Sequence, residues 1–257
     1  MHVLIDIGNS TIVVAIADQQ GDITSTWRFK TRKEETVTFF RYELKQGLRK
    51  YNLEPADIES VVISSVVPEV NDDVAQAIND LTGLTPHFFC IDDAQGLITI
   101  DIESPTQLGK DRLADALGAV ACYGAPAIVI DFGTATTFGA MSEKGEFVGG
   151  AIAPGLKLMA DALVDRAAKL PRFELVRPDR VIGRNTVTNL QSGLIYGAVG
   201  QVIYLVGRMR EELGSPNAKV IATGGLALLI SAETDIINVL DGLLTLKGLR
   251  IIYERNM

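Results

Sequence analysis

The sequence predicts an α/β fold made of two copies of one unit, and three observations carry that expectation. Short apolar runs alternate with stretches of helical spacing, the mark of strands packed against helices. The opening VLIDIGNST at 3–11 lies over IVIDFGTAT at 128–136: an apolar run, Asp, one apolar residue, Gly, then small hydroxyl or amide side chains. The hairpin after each copy repeats as well, with Asp6 15 residues before the turn glycine Gly21 and Asp131 14 before Gly145. Any two buried strands resemble each other. The nearly equal hairpin spacing is what makes internal duplication the better account.

Taken in order, HVLIDIG reads as a strand, STIVVAIAD as a second, QQGD as a turn and ITSTWRFK as a third. Glu34 to Tyr51 has helical spacing, with Phe39, Phe40, Leu44 and Leu48 on one side. SVVISSV is a buried-type strand, Pro68 opens a helix reaching about Leu81, and PHFFCI is another strand. Gly109 to Tyr123 is a helix with Leu113, Leu117 and Val120 on one face. The pattern then restarts with the strands AIVIDFG and TATTFGAM, the turn SEKGE and the strand FVGGAIA. Helices over 156–168 and 187–213, the strand KVIAT, a GG turn and a C-terminal helix-like stretch complete the second copy. Two α/β lobes, 1–116 and 117–257, with a cleft between them is the expected architecture.

Composition narrows the functional classes. The 257 residues are 47% hydrophobic and 22% charged, as in globular proteins. A net charge of -8 counts against nucleic-acid binding, which rests on Lys and Arg neutralising phosphates. It leaves room for an anionic nucleotide wherever backbone N–H groups are aimed at one. Cys90 and Cys122 stand beside apolar runs, outside any CxxC or Cys/His cluster, and read as buried reduced thiols. His2 and His87 are too few and too far apart for a zinc site. No apolar stretch approaches the ~20 residues of a membrane helix and no basic–apolar leader opens the chain. The expectation is no membrane and a cytoplasmic location.

The chemistry is concentrated at the two Asp-Gly loops. Glycine lets backbone approach an anion closely. Backbone N–H groups and the hydroxyls of Ser10, Thr11, Thr134, Thr136 and Thr137 suit phosphate oxygens, and the carboxylates of Asp6 and Asp131 suit the cations that accompany phosphate. Phosphoryl transfer needs mainly positioning and charge neutralisation. Each loop alone reads equally well as a tight hairpin whose Asp caps its own turn. There is no GxxxxGK[ST] and no GxGxxG after the first strand. In LGKDRLADALGA at 108–119, Asp111 can accept a proton from a substrate hydroxyl and Arg112 can clamp a carboxylate. The plainer reading is an acidic first turn suited to the helix dipole. GGAIAPGL at 149–156 and ATGGLA at 222–227 read first as strand-to-helix turns.

The ordered set of motifs resembles the type III pantothenate kinase family of the actin/hexokinase-like superfamily. The resemblance runs nearly end to end: DIGNST near the start, SSVVP at 64–68, GKDR at 109–112, DFGTATT at 131–137, GGAIAPG at 149–155, NTVTNLQSG at 185–193, TGG at 223–225 and TLKGLRIIYERN. It implies two duplicated actin-like ATPase (ribonuclease H-like) lobes with a nucleotide cleft between them. It also implies ATP-dependent phosphorylation of pantothenate, the first step towards coenzyme A, with Mg2+ and a monovalent cation, K+ or NH4+. A homodimer is implied too, its substrate site borrowing from the neighbouring subunit. By position, Asp6, Ile7, Gly8, Asn9, Ser10, Thr11, Ile12 and Val13 resemble the family's first phosphate loop, with Asp6 near Mg2+. Gly133 and Thr134 fall on the second phosphate loop, Thr134 matching an ATP contact, and Asp131 matches the aspartate linked to the monovalent cation. Asp111 matches the proposed base, and Gly109, Lys110, Asp111, Arg112 and Thr186 match the pantothenate contacts. Three positions depart from the pattern: Lys110 where a small residue is usual, Ile102 where many members have tyrosine, and Gly139 where aspartate is frequent.

The implied mechanism is in-line transfer. The ATP phosphates lie against Gly8–Thr11 and Gly133–Thr136, Arg112 holds the pantothenate carboxylate, and Asp111 accepts the hydroxyl proton late in a loose transition state. Two other readings remain open at this point. One is a different kinase or phosphatase of the superfamily; the other is a regulator that binds nucleotide without catalysis.

Overall fold

The computed structural model describes residues 1–167 and 169–256. Two compact units emerge, one made of Met1–Ile98, Ser104–Gly118 and the chain from Leu244, the other of Thr99–Glu103 and Ala119–Leu243. The helix from Leu244 thus belongs with the N-terminal strands although it follows the second unit in the chain.

In the first unit, β1 (His2–Ile7) runs antiparallel to β2 (Thr11–Ala17) and parallel to β4 (Ser60–Ser65). β3 (Ile23–Lys30) and β5 (His87–Phe88) form the edges, giving the order β3-β2-β1-β4-β5. A central strand is covered on both faces, which is why HVLIDI reads as a continuous apolar run. On one face, Val3, Ile5, Ile7, Ile12, Val14, Val61 and Ile63 meet Phe40, Leu44 and Leu48 of α1 (Val37–Lys50) and Val74, Ala77 and Ile78 of α2 (Asn71–Thr82). Each of these side chains larger than alanine contributes about 1.5–3 kcal/mol by leaving water. Helix α1 begins after Thr36, whose extended backbone (φ -100°, ψ 170°) ends the coil later than the periodicity suggested. Pro68 opens a 3-10 turn, Pro68–Val70, that leads straight into α2, and Gly83 ends α2 in the left-handed region at φ 74°.

PHFFCI forms only a two-residue strand. The Asp93 carboxylate accepts a bond from the Cys90 N–H at 2.8 Å and draws the chain into a 3-10 turn, Ile91–Ala94. Both cysteines are exposed, correcting the expectation of buried thiols: Cys90 caps that turn, and Cys122 lies on the outward side of the last turn of α3 (Lys110–Tyr123). Adjacency to apolar residues in sequence did not decide which way either side chain points.

The second unit repeats the first. β6 (Ala127–Phe132) pairs antiparallel with β7 (Ala135–Met141), which pairs with β8 (Phe147–Pro154), and β6 pairs parallel with β9 (Lys219–Thr223). With β10 (Val239–Leu240) the order is β10-β9-β6-β7-β8, the same topology read from the other end. The hairpins agree in detail. Gly21 N donates to Asp18 O, and Gly145 N to Ser142 O. Asp18 Oδ1 accepts from the N–H groups of Gln20 and Asp22, while Ser142 Oγ accepts from those of Lys144 and Glu146. Both second strands carry a register shift, at Ile16/Ala17 and at Ala140/Met141. The one-residue difference in spacing lies in the first loop: Ile7 pairs with Ile12, but Phe132 pairs with Thr136.

Helix α4 (Leu156–Arg166) follows β8 and stops short of the expected 168, because Ala167 already has extended backbone (φ -114°, ψ 101°); residue 168 itself lies outside the described residues. Helix α5 (Thr186–Glu212) lays Ile195, Val199, Val202 and Val206 against Ile128, Ile130, Val220 and Ala222 of the sheet. Among the described residues α5 is the one helix long and apolar enough to cross a membrane by length and composition. The sequence reading did not anticipate such a stretch. Its buried side marks it as a core helix of this unit, a role that passes the same test. The short α6 (Ala227–Ser231) follows the TGG turn.

Helix α7 (Leu244–Asn256) completes the first unit. It packs along β1 and β4, on the face where alternation places Leu4 and Val62, both buried.

Candidate active site

In the first unit the loop between β1 and β2 is held by its own backbone. Gly8 N donates to Thr11 O at 3.1 Å, Thr31 N to Ser10 O at 3.1 Å, and Thr31 Oγ1 to Gly8 O at 2.6 Å. Asn9 and Ser10 are exposed. Ile7 and Ile12 are fully buried in the apolar core, so only their backbone is available to a ligand. Asp6 lies on the opposite face, paired in register with Val13 on one side and Ser64 on the other. The turn that follows β2 is capped by Asp18.

The second loop, in the second unit, is packed more tightly. Gly133 N donates to Ala135 O, and Gly155 N to Thr134 O, both at 3.1 Å. Gly155, from GGAIAPG, is the residue that lets α4 start against this loop: a Cβ there would lie 2.4 Å from the carbonyl oxygens of both Gly133 and Thr134. The TGG turn closes on Asp131. Gly224 has φ +89°, and a Cβ on it would lie 2.3 Å from Asp131 Oδ1 and 2.6 Å from Phe132 N. These contacts follow from the parallel register that sets Asp131 opposite Thr223. Motifs that read separately as plain turns therefore converge on one loop, GGAIAPG on its carbonyls and TGG on the Asp131 carboxylate. Thr134 stands in the loop itself, and Thr137 pairs with Asp131. Thr136 is 2% exposed, so its hydroxyl is withdrawn from the phosphate-facing set.

At the start of α3, Leu113 N donates to Gly109 O and Arg112 N to Asp111 Oδ1 at 2.8 Å. A Cβ on Gly109 would lie 2.5 Å from Asp111 Oδ1, so glycine there leaves room for the carboxylate. Lys110, Asp111 and Arg112 are all partly buried. Burial pulls the Arg112 guanidinium below its ordinary value, while the carboxylates of Asp111 and Asp115 push it back up. Asp115, 3% exposed, accepts from Thr245 Oγ1 at 2.7 Å. Sequence reading missed both residues; only its i, i+3 spacing from Arg112 could have drawn attention to Asp115.

Thr186 is exposed in the first turn of α5, in the second unit, after an N-cap in which Asn185 Oδ1 accepts from Thr188 N at 2.9 Å. Ile102 and Gly149 meet in the second unit, a Cβ on Gly149 lying 4.0 Å from Ile102 Cγ2. Among the described residues no three His, Cys, Asp or Glu side chains gather into a metal cage. Mg2+ beside phosphates needs only one or two carboxylates, with waters and phosphate oxygens completing its shell. A single carboxylate such as Asp6, two residues before Gly8, fits that requirement, and the Asp131 carboxylate, closed in by Gly224, is left for a second cation.

Comparison with known proteins places the chain in a family. A family model described as type III pantothenate kinase matches residues 2–208. A type III pantothenate kinase of Moorella thermoacetica is 44% identical over 256 residues, covering all of both chains. Among solved structures, a Baf-family protein from Campylobacter jejuni has a TM-score of 0.60 at 20% identity, with 99% of this chain and 98% of that one covered. The ethanolamine utilization protein EutJ from Carboxydothermus hydrogenoformans has a TM-score of 0.58 at 15% identity, with 97% and 89% covered. Component A of the (R)-2-hydroxyglutaryl-CoA dehydratase of Acidaminococcus fermentans has a TM-score of 0.57 at 15% identity, with 98% and 96% covered. These structures share the two-lobe α/β fold. The match over most of the sequence, the full-length relative and the repeated loop architecture agree, and the chain belongs to the type III pantothenate kinase family.

Proposed function

We propose that this chain transfers the γ-phosphoryl group of ATP to the primary hydroxyl of pantothenate, yielding phosphopantothenate for coenzyme A synthesis. The observation that carries the reading is the family match over residues 2–208, on which the GKDR, DIGNST and DFGTATT motifs all fall.

In this reading the backbone from Asp6 to Val13 and the Gly133–Thr134 loop grip the ATP phosphates. Ile7 and Ile12 serve through main-chain groups alone, because their side chains are core. Arg112 holds the substrate carboxylate, with Gly109, Lys110 and Thr186 as further contacts. Asp111 receives the hydroxyl proton and mostly orients the nucleophile, as expected for a loose transition state. Asp6 would hold Mg2+, directly or through water, and Asp131 a monovalent cation, K+ or NH4+. These ions supply neutralisation of phosphate charge. The chain works in the cytoplasm as a homodimer whose substrate site draws on the neighbouring subunit, without nucleic acid or membrane.

A product assay with pantothenate, ATP and Mg2+, run with and without K+, tests the reading. Phosphopantothenate formation, higher with K+, is the expected result; ATP turnover stimulated by a sugar and not by pantothenate would overturn it. Asp111→Asn should lower kcat by about 10²–10⁴-fold, the usual worth of a general base, with ATP binding nearly unchanged. Near-normal turnover in that variant would remove Asp111 from its role.

A further inference from the structure

In the first unit, α7 and α3 approach closely enough to exclude side chains at two points. A Cβ on Gly248 would lie 1.9 Å from Ala114 O, and one on Gly118 would lie 2.6 Å from Leu244 O. Glycine at both positions allows the backbones to touch. The contact sets Thr245, in the first turn of α7, beside Asp115 of α3, and Thr245 Oγ1 donates to Asp115 Oδ1 at 2.7 Å. Asp115 is 3% exposed, a depth at which a carboxylate must be paired and hydrogen-bonded. The hydroxyl bond fixes the rotation of that carboxylate. Arg112 stands three residues earlier on the same helix, a spacing that places the two side chains as neighbours on one face. Asp115 favours the charged guanidinium against its burial.

We propose that Asp115, held by Thr245 of α7, is a positioning residue for Arg112, fixing the guanidinium fork to receive the substrate carboxylate. The proposal rests on the reading of Arg112 as the pantothenate-binding arm. Neither Asp115 nor Thr245 touches substrate. Their effect is on where the fork points, because a bidentate carboxylate clamp loses most of its advantage when the guanidinium swings.

Steady-state kinetics on the full chain test it, using Asp115→Asn, Thr245→Val and Thr245→Ser, and Thr245→Val combined with Arg112→Lys. The pantothenate KM should rise about tenfold in Asp115→Asn and about threefold in Thr245→Val, with kcat and the ATP KM within about twofold of the parent. Thr245→Ser keeps the hydroxyl and should restore the pantothenate KM, which a purely packing role for the threonine methyl would not do. In the Arg112→Lys background the added Thr245→Val should have little further effect, because the fork it orients is gone. Unchanged pantothenate KM in Asp115→Asn and Thr245→Val overturns the inference. So does a Thr245→Val effect of full size without Arg112, or equal loss in Thr245→Ser and Thr245→Val. If Asp115→Asn fails to fold, the serine and valine pair decides alone. A parent chain active on pantothenate with these negative results leaves the proposed function standing; a parent that makes no phosphopantothenate sinks both.

Discussion

Gly224 offers the sharpest test of the second loop, because its neighbour Gly225 is a built-in control. Replacing Gly224 with alanine places a methyl group at φ +89°, 2.3 Å from Asp131 Oδ1 and 2.6 Å from Phe132 N. The left-handed backbone costs a side chain roughly 1–2 kcal/mol. Overpacking against a carboxylate and a strand amide adds about 1–3 kcal/mol. The expected loss is therefore about 2–5 kcal/mol in urea unfolding. A Cβ on Gly225 meets nothing within 4 Å, so Gly225→Ala should stay within about 0.5 kcal/mol of the parent. The two variants should also separate in kinetics. Pushing the Asp131 carboxylate should weaken activation by K+ and raise the ATP KM in Gly224→Ala, and leave both alone in Gly225→Ala. If the two alanine variants match each other in stability and in K+ response, the placement of the TGG turn against Asp131 is wrong.

Two further expectations follow from the same geometry. In Gly155→Ala the new Cβ would lie 2.4 Å from two carbonyl oxygens of the Gly133–Thr134 loop, so the ATP KM should rise about tenfold, with the pantothenate KM unchanged; the reverse pattern would contradict a nucleotide role for that loop. At Asp93, burial alone raises the carboxyl, but bonds from the Cys90 N–H and the His87 ring, each 2.8 Å away, outweigh it and hold it below the ordinary range. A depressed carboxyl stabilises the fold above its unfolded value, and that stabilisation is lost as pH falls through the folded one. Asp93→Asn should therefore cost about 1–2 kcal/mol in urea near neutrality, with parent and variant converging in acid; a gap that holds or widens on acidification would refute this assignment.

The duplication and both Asp-Gly loops were legible because strand periodicity stops at Asp-x-Gly in each copy. That is a local signal, and the matching turns at Asp18 and Ser142 are local too. The mechanical surroundings of the site were not legible. The contact of Gly224 with Asp131 arises from a parallel pairing between strands far apart in sequence. Gly118 and Gly248 look like weak points in their helices until α3 and α7 are seen to touch there. Asp115 reads as an ordinary helix aspartate, since its meaning depends on a hydroxyl from the far end of the chain. The cysteines failed for the opposite reason: local apolar context suggested burial, and the turn set by Asp93 and the outward side of α3 decided otherwise.

The allegiance of α7 has a consequence for biosynthesis. On the ribosome, domains usually fold in the order in which they emerge. Here the second unit from Ala119 to Leu243 is nearly continuous and can close on itself, whereas the first waits for a segment translated after it. Until α7 arrives, the sheet lacks the helix that packs along β1 and β4, on the face that carries Leu4 and Val62. The half that begins first is the half that finishes last, and the Asp115–Thr245 bond can form only once translation has passed Thr245. On the proposed role of Asp115, the fork that holds substrate is in this way set only after α7 has been made.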